Sequence, residues 1–181
     1  MERKGGLFTK KGGRVSEMNR EELKKILPHR EPMLLVDEAY VTEDGKAEGK
    51  YTVRGDEFFL QGHFPENPVV PGVILCEIMA QCCCVLLQER MKAASSHVSN
   101  ENAFDTGRAP LEKESEAKSI TPYYTGLEHV KFRNPVKPGD TLMIQCEIER
   151  VKEPFYFAKG QATVNGKRCV SANFSFALIQ E

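Results

Sequence analysis

Two hydrophobic periods organise this chain. Toward its end Val170, Ala172, Phe174, Phe176 and Leu178 alternate with Ser171, Asn173 and Ser175, the period of two that gives a strand one core face and one more polar face. Strand-like runs also cover about 123–133, 141–151 and 155–164, and Asn165-Gly166 joins the last of these to the final strand as a hairpin turn. Nearer the start, a mostly apolar run over 33–41 and an extended run over 46–54 flank Asp44-Gly45, which predicts another hairpin. Between the two groups, Val73 to Met91 holds neither proline nor glycine and predicts a helix. That helix is apolar nearly all round, so something must wrap it.

Asn19 with Glu22 three residues on reads as a helix N-cap, and Pro28 ends the short helix predicted over 20–27. An order of two strands, a long apolar helix and four strands predicts an α+β domain in which an antiparallel sheet curls around the helix. Residues 1–18, with basic side chains among glycines and no apolar run, read as a flexible tail rather than a secretory signal. Residues 92–119 are rich in Ser, Asn, Glu, Lys and Ala and show neither period, which predicts a mobile polar excursion from a single domain over 19–181.

Charge and cysteine content narrow the picture. The net charge of −1 gives no electrostatic reason for nucleic-acid or membrane binding. The longest apolar stretch, 73–87, falls short of the roughly 20 residues a bilayer requires, so a cytoplasmic protein is expected. Cys82, Cys83 and Cys84 are consecutive and on a helix point about 100° apart, so they cannot converge on a metal ion. We read the six cysteines as small core residues in a reducing compartment, with no metal site.

Glu77 is the one charged residue between Val73 and Leu87, and Gln81 follows one turn later on the same helical face. A carboxylate on a buried helix costs several kcal/mol unless it is paired, hydrogen-bonded or protonated. A structural ion pair and a functional group are equally good explanations of such a residue taken alone. The preceding loop, Gly62-His63-Phe64-Pro65 and then Pro68 to Gly72, favours function, because prolines hold the His63 ring in a stiff segment that leads into the helix. Gly72 leaves room for a substrate beside the first helix amides, where an oxyanion is stabilised. His29, His97 and His129 are read as ordinary polar residues.

The string GHFPENPVVPGVILCEIMAQ at 62–81, flanked by LPHREPMLLVD at 27–37 and GLEHVKFRNPVKPGD at 126–140, resembles the FabZ-type 3-hydroxyacyl-acyl carrier protein dehydratases of fatty acid synthesis. The resemblance implies the hot-dog fold and removal of water from a 3-hydroxyacyl carrier-protein thioester to give the trans-2-enoyl product. It places the catalytic pair at His63 and Glu77, with His63 taking the proton beside the thioester and Glu77 assisting departure of the hydroxyl. It also places the amide that binds the thioester carbonyl at Gly72, with Gln81, Phe64 and Tyr123 as further substrate-binding positions. Phe58 and Phe59 are candidates for the acyl tunnel, and Lys131, Arg133 and Lys137 for docking an acidic carrier protein.

No cofactor is implied. The resemblance further implies sites shared across a homodimer, the histidine of one subunit facing the glutamate of the other, with dimers assembling into trimers of dimers. Ile78 stands where such proteins commonly have alanine, which leaves chain length open. Three alternatives remain at this point. A dehydratase that also isomerises its product usually has aspartate at the Glu77 position; a thioesterase of the same fold typically lacks the proline-rich His63 loop. An acyl-thioester sensor without chemistry would be expected to lose His63 or Glu77.

Overall fold

The computed structural model describes residues 13–88 and 120–180. Its strands are β1 (Arg14–Asn19), β2 (Glu38–Thr42), β3 (Ala47–Thr52), β4 (Ile120–Phe132), β5 (Thr141–Lys152), β6 (Phe155–Val164) and β7 (Lys167–Gln180). They form one seven-stranded sheet in the order β1-β2-β3-β5-β6-β7-β4, antiparallel at every pairing. The helices are α1 (Arg20–Leu23) and α2 (Gly72–Cys83), the latter continued by a 3-10 turn over Cys84–Leu87. This is the sheet-around-helix arrangement expected of a hot-dog fold.

α2 lies against β3, β5, β6 and β7. From Leu75 to Cys83 every residue but Glu77 is buried, as an all-round apolar helix requires. The sheet supplies Val170, Ala172, Phe174 and Phe176, all buried, from the face of β7 that alternation selected. Asn165 and Gly166, at φ 49° and 75°, make the two left-handed positions of the β6–β7 turn. Gly45, at φ 76°, serves the β2–β3 turn. All six cysteines are free and buried, and the Cys146 thiol bonds the Met79 carbonyl of α2 at 3.3 Å.

Three boundaries differ from the sequence reading. Residues 14–18, expected within a flexible tail, form most of β1 and pair with β2 along the sheet edge. Of these residues only Met18 is buried, so an edge strand with a polar face left little periodic signal. The helix predicted over 20–27 is regular only through Leu23, and turn hydrogen bonds such as Ile26 N–H to the Leu23 carbonyl (3.0 Å) continue it. Its N-cap is as predicted: Asn19 accepts from the Glu21 and Glu22 amides, and Glu22 accepts from the Asn19 amide.

The first hairpin strand begins at Glu38 rather than Met33. Backbone groups of Met33 and Leu35 bond the Gln81 side chain instead of a neighbouring strand. Arg20 holds this segment from the other side, donating to the Leu34 carbonyl at 2.7 Å and pairing with Glu31 and Asp37. The excursion at 92–119, and the end of the predicted helix at 89–91, lie outside the described residues.

The sheet packs tightly against α2 at Gly49, where an added Cβ would lie 2.8 Å from both the Cys82 sulfur and the Glu38 carbonyl oxygen. The backbone oxygen cannot rotate away. Gly49→Ala is therefore expected to destabilise the fold by about 1–3 kcal/mol, the usual penalty for overpacking a core, as a fall in denaturant midpoint would show.

Candidate active site

His63 follows a 3-10 turn (Phe58–Leu60) and sits in a loop that closes on itself: its amide donates to the Leu60 carbonyl at 3.2 Å, and the Val69 amide donates to the His63 carbonyl at 2.9 Å. The ring nitrogen Nδ1 lies 2.9 Å from the Val69 carbonyl oxygen. A carbonyl only accepts, so Nδ1 bears the proton and Nε2 of the neutral ring keeps its lone pair. The histidine is thus held in the tautomer of a general base. Phe64 stacks on it, with ring centroids 4.2 Å apart, and is 53% exposed.

A cavity of about 500 Å³ opens beside His63, bordered by Pro71 to Val73 and Leu75 at the start of α2 and by Phe132 to Val136 after β4. The Val70 amide bonds the Val136 carbonyl at 2.8 Å and ties these two walls together. Gly72 is the first residue of α2, so its N–H has no acceptor one turn back within the helix. The room that its missing side chain leaves is filled: an added Cβ would lie 2.8 Å from the Phe132 ring. Glycine at this position admits an aromatic side chain of the same chain, while Gly72 itself still borders the cavity.

Glu77 sits farther along α2, one turn beyond Val73, which is 68% exposed. Its Oε1 accepts from Gln81 Nε2 at 2.8 Å and lies 3.2 Å from His29 Nε2. Oε2 makes no hydrogen bond among the described residues. Burial pushes the Glu77 carboxyl up, but the hydrogen bonds from His29 and Gln81 outweigh it and leave the group below its ordinary value. Glu77 is therefore a carboxylate at neutral pH. Among the described residues it shares no hydrogen bond or ion pair with His63, and it is not among the residues bordering the His63 cavity.

Gln81, expected to bind substrate, is 1% exposed and fully engaged by the protein. Its amide nitrogen donates to the Met33 carbonyl and to Glu77, and its oxygen accepts from the Leu35 amide at 2.8 Å. It supports Glu77 rather than touching a ligand. Of the two neighbouring tyrosines, Tyr123 is 48% exposed on β4. Tyr124 points the other way, its hydroxyl donating to the Cys76 carbonyl of α2 at 2.7 Å. Burial, and after it the nearby Glu77 charge, push the Tyr124 phenol up, so it remains a proton-bearing donor. Tyr124 is a tyrosine joined to the helix beside the carboxylate.

His29, an ordinary polar residue by sequence, is a neighbour of Glu77 in the structure. No hydrophobic period marks it. Its one local signal is the pair of flanking residues Pro28 and Pro32, which stiffen its segment as prolines stiffen that of His63.

A model of the FabA-like domain matches residues 27–110 and 102–173. The chain belongs to the FabA-like family. It is 37% identical over 161 residues to a 3-hydroxyacyl-[acyl-carrier-protein] dehydratase FabZ of Clostridium perfringens, a match that covers 89% of this chain and 99% of the relative. A protein of the same name from Bacillus cytotoxicus is 35% identical over 162 residues, covering 89% of this chain and 96% of the other. In three dimensions the chain is similar to the dehydratase heterocomplex ApeI:P of Xenorhabdus doucetiae, with a TM-score of 0.63 at 20% identity over 87% of this chain and 90% of that one. A probable thioesterase of Bartonella henselae aligns with a TM-score of 0.51 at 16% identity, covering 74% of this chain and 91% of the other. Both likenesses show the hot-dog fold, which FabA-like members share with thioesterases.

Replacing Gln81 by leucine removes every partner it supplies at once. Gln81→Leu is expected to cost about 2–4 kcal/mol, because the buried Leu35 amide, the partly buried Met33 carbonyl and one side of Glu77 lose their hydrogen bonds. Chemical denaturation of the purified variant measures this directly.

Proposed function

We propose that the protein dehydrates 3-hydroxyacyl thioesters carried on acyl carrier protein, giving trans-2-enoyl thioesters in fatty acid synthesis. The observation that supports this best is the pairing of chemical roles. A histidine with Nε2 free as a base and a carboxylate with one oxygen uncommitted lie in a chain that matches its FabZ relatives along nearly their whole length.

In this reading a thioester carbonyl lies against the Gly72 amide at the positive end of α2, which stabilises charge building on its oxygen. His63 Nε2 takes the proton from the carbon next to the carbonyl, and that C–H electron pair becomes the new double bond as the bond from C3 to the hydroxyl oxygen breaks. Because Glu77 is ionised it accepts rather than donates. It holds the 3-hydroxyl and the charged imidazole in line, and the proton gained at Nε2 passes to the departing oxygen, which leaves as water. The balance closes with no oxidant or reductant.

The site draws on two chains. Among the described residues of one chain His63 and Glu77 face different partners, and an apolar surface remains exposed: Phe64, Val73, Leu127 and Phe132 are each at least 44% exposed. Among the described residues β4 is hydrogen-bonded along one side only, at the end of the sheet. A second copy meeting the first along β4 covers that surface, extends the sheet and brings its own Glu77 toward His63. Dimers of this kind assemble further into trimers of dimers. Arg133, on the cavity wall, supplies a cation for an acidic carrier protein, whereas Lys137 is occupied by a 2.9 Å bond to Asn67.

A cytoplasmic location accords with six free, buried thiols. No described helix is long and apolar enough to cross a membrane.

The test is the rise of enoyl-thioester absorbance when the protein meets a 3-hydroxyacyl carrier-protein substrate. The wild type is expected to turn over, and folded His63→Ala and Glu77→Gln variants to lose at least about 100-fold in kcat, in the range typical of acid/base groups. Release of free carboxylate would point to the thioesterase chemistry of the same fold. Binding without turnover would leave a sensor.

A further inference from the structure

Glu77 is held from two directions. Gln81 reaches it from one turn along α2, and His29 reaches the same oxygen from the 27–37 segment. A carboxylate held by one hydrogen bond can pivot about it; two donors on one oxygen, from separate elements, fix both the plane of the group and the direction of the other oxygen. The His29 side chain is 23% exposed, and its second nitrogen, Nδ1, is buried with no hydrogen-bond partner. A histidine that served only packing or solubility would gain nothing from leaving a polar atom unsatisfied there. Placing Nε2 on Glu77 accounts for that choice.

The segment bearing His29 is itself anchored. Arg20 and Lys24 both pair with Glu31, Arg20 also bonds the Leu34 carbonyl, and Arg30 donates to the Leu27 carbonyl at 2.9 Å. The donor that reaches Glu77 thus stands on a segment tied to α1 and to its own backbone.

We propose that His29 is a positioning residue for the dehydration: with Gln81 it pins Oε1 of Glu77 and so aims Oε2 at the substrate. The proposal rests on the reading of Glu77 as a reacting carboxylate. His29 touches no reacting atom in this scheme, and its effect passes wholly through Glu77. Loss of its N–H leaves substrate binding intact and misorients the carboxylate. Misplacement of that kind costs on the order of 10–100-fold in rate.

The experiment is a set of kinetic measurements on the full chain with a 3-hydroxyacyl carrier-protein substrate, each variant checked by thermal melting and by size. Glutamine can set an amide nitrogen near the Nε2 position; asparagine is shorter and cannot. His29→Gln is expected to retain kcat within about fivefold, and His29→Asn to lose about 10–100-fold, with KM within about threefold of wild type in both, the pattern of an interaction that acts on the chemical step. In a Glu77→Gln background, His29→Asn is expected to add no further loss, since two residues acting through one group are not additive. The proposal is overturned if glutamine and asparagine behave alike in folded protein, or if the His29 and Glu77 losses multiply. Should Glu77→Gln itself leave kcat unchanged, the role of Glu77 fails first, and the His29 variants show separately whether that residue matters.

Discussion

A carboxylate on an otherwise apolar helix is the constraint around which this structure is arranged. Glu77 cannot be withdrawn from water without partners, and the chain supplies them at the expense of regular structure elsewhere. The Met33–Leu35 segment gives up strand pairing and bonds Gln81, and Gln81 in turn holds Glu77. Arg20, just inside α1, steadies the same segment. A short helix, an irregular loop and the central helix thereby become one support for a single oxygen atom.

The second half of the site obeys a different economy. His63 is placed by its own loop, through Val69 and Leu60, and depends little on the rest of the core. Phe132 packs on Gly72 and closes the wall between this loop and the end of β4. Among the described residues the two halves share no hydrogen-bond partner within one chain, and apolar side chains such as Phe64 and Val73 stay exposed. In the proposed reading a second copy, joined along the β4 edge of the sheet, completes the pair.

Much of this was legible in the sequence, for reasons that can be traced to particular residues. Alternation from Val170 to Leu178 could belong only to a half-buried strand, and the glycine-containing turns at 44–45 and 165–166 fixed where two hairpins reverse. The length and apolar character of the run after Gly72 required a wrapped helix, and a single charge within it drew attention to Glu77. Polar edge strand β1 escaped because an edge strand buries little; of residues 14–18 only Met18 is buried. His29 escaped because its contact with Glu77 spans 48 positions, and no local pattern encodes such a meeting. The choice between Tyr123 and Tyr124 turned on which face of β4 meets α2. The strand supplied no clean alternation to decide it, and its register shifts twice, at Tyr124/Gly126 and at Glu128/Lys131.

The central claim is that each site takes His63 from one chain and Glu77 from another. Co-expression of differently tagged His63→Ala and Glu77→Gln chains, with isolation of the mixed dimers, tests it directly. Each variant alone is expected to be inactive, but in a two-fold dimer with shared sites a mixed pair contains one site with both residues intact, so about half of wild-type activity per dimer is expected. Mixed dimers as inactive as either parent would contradict a shared site.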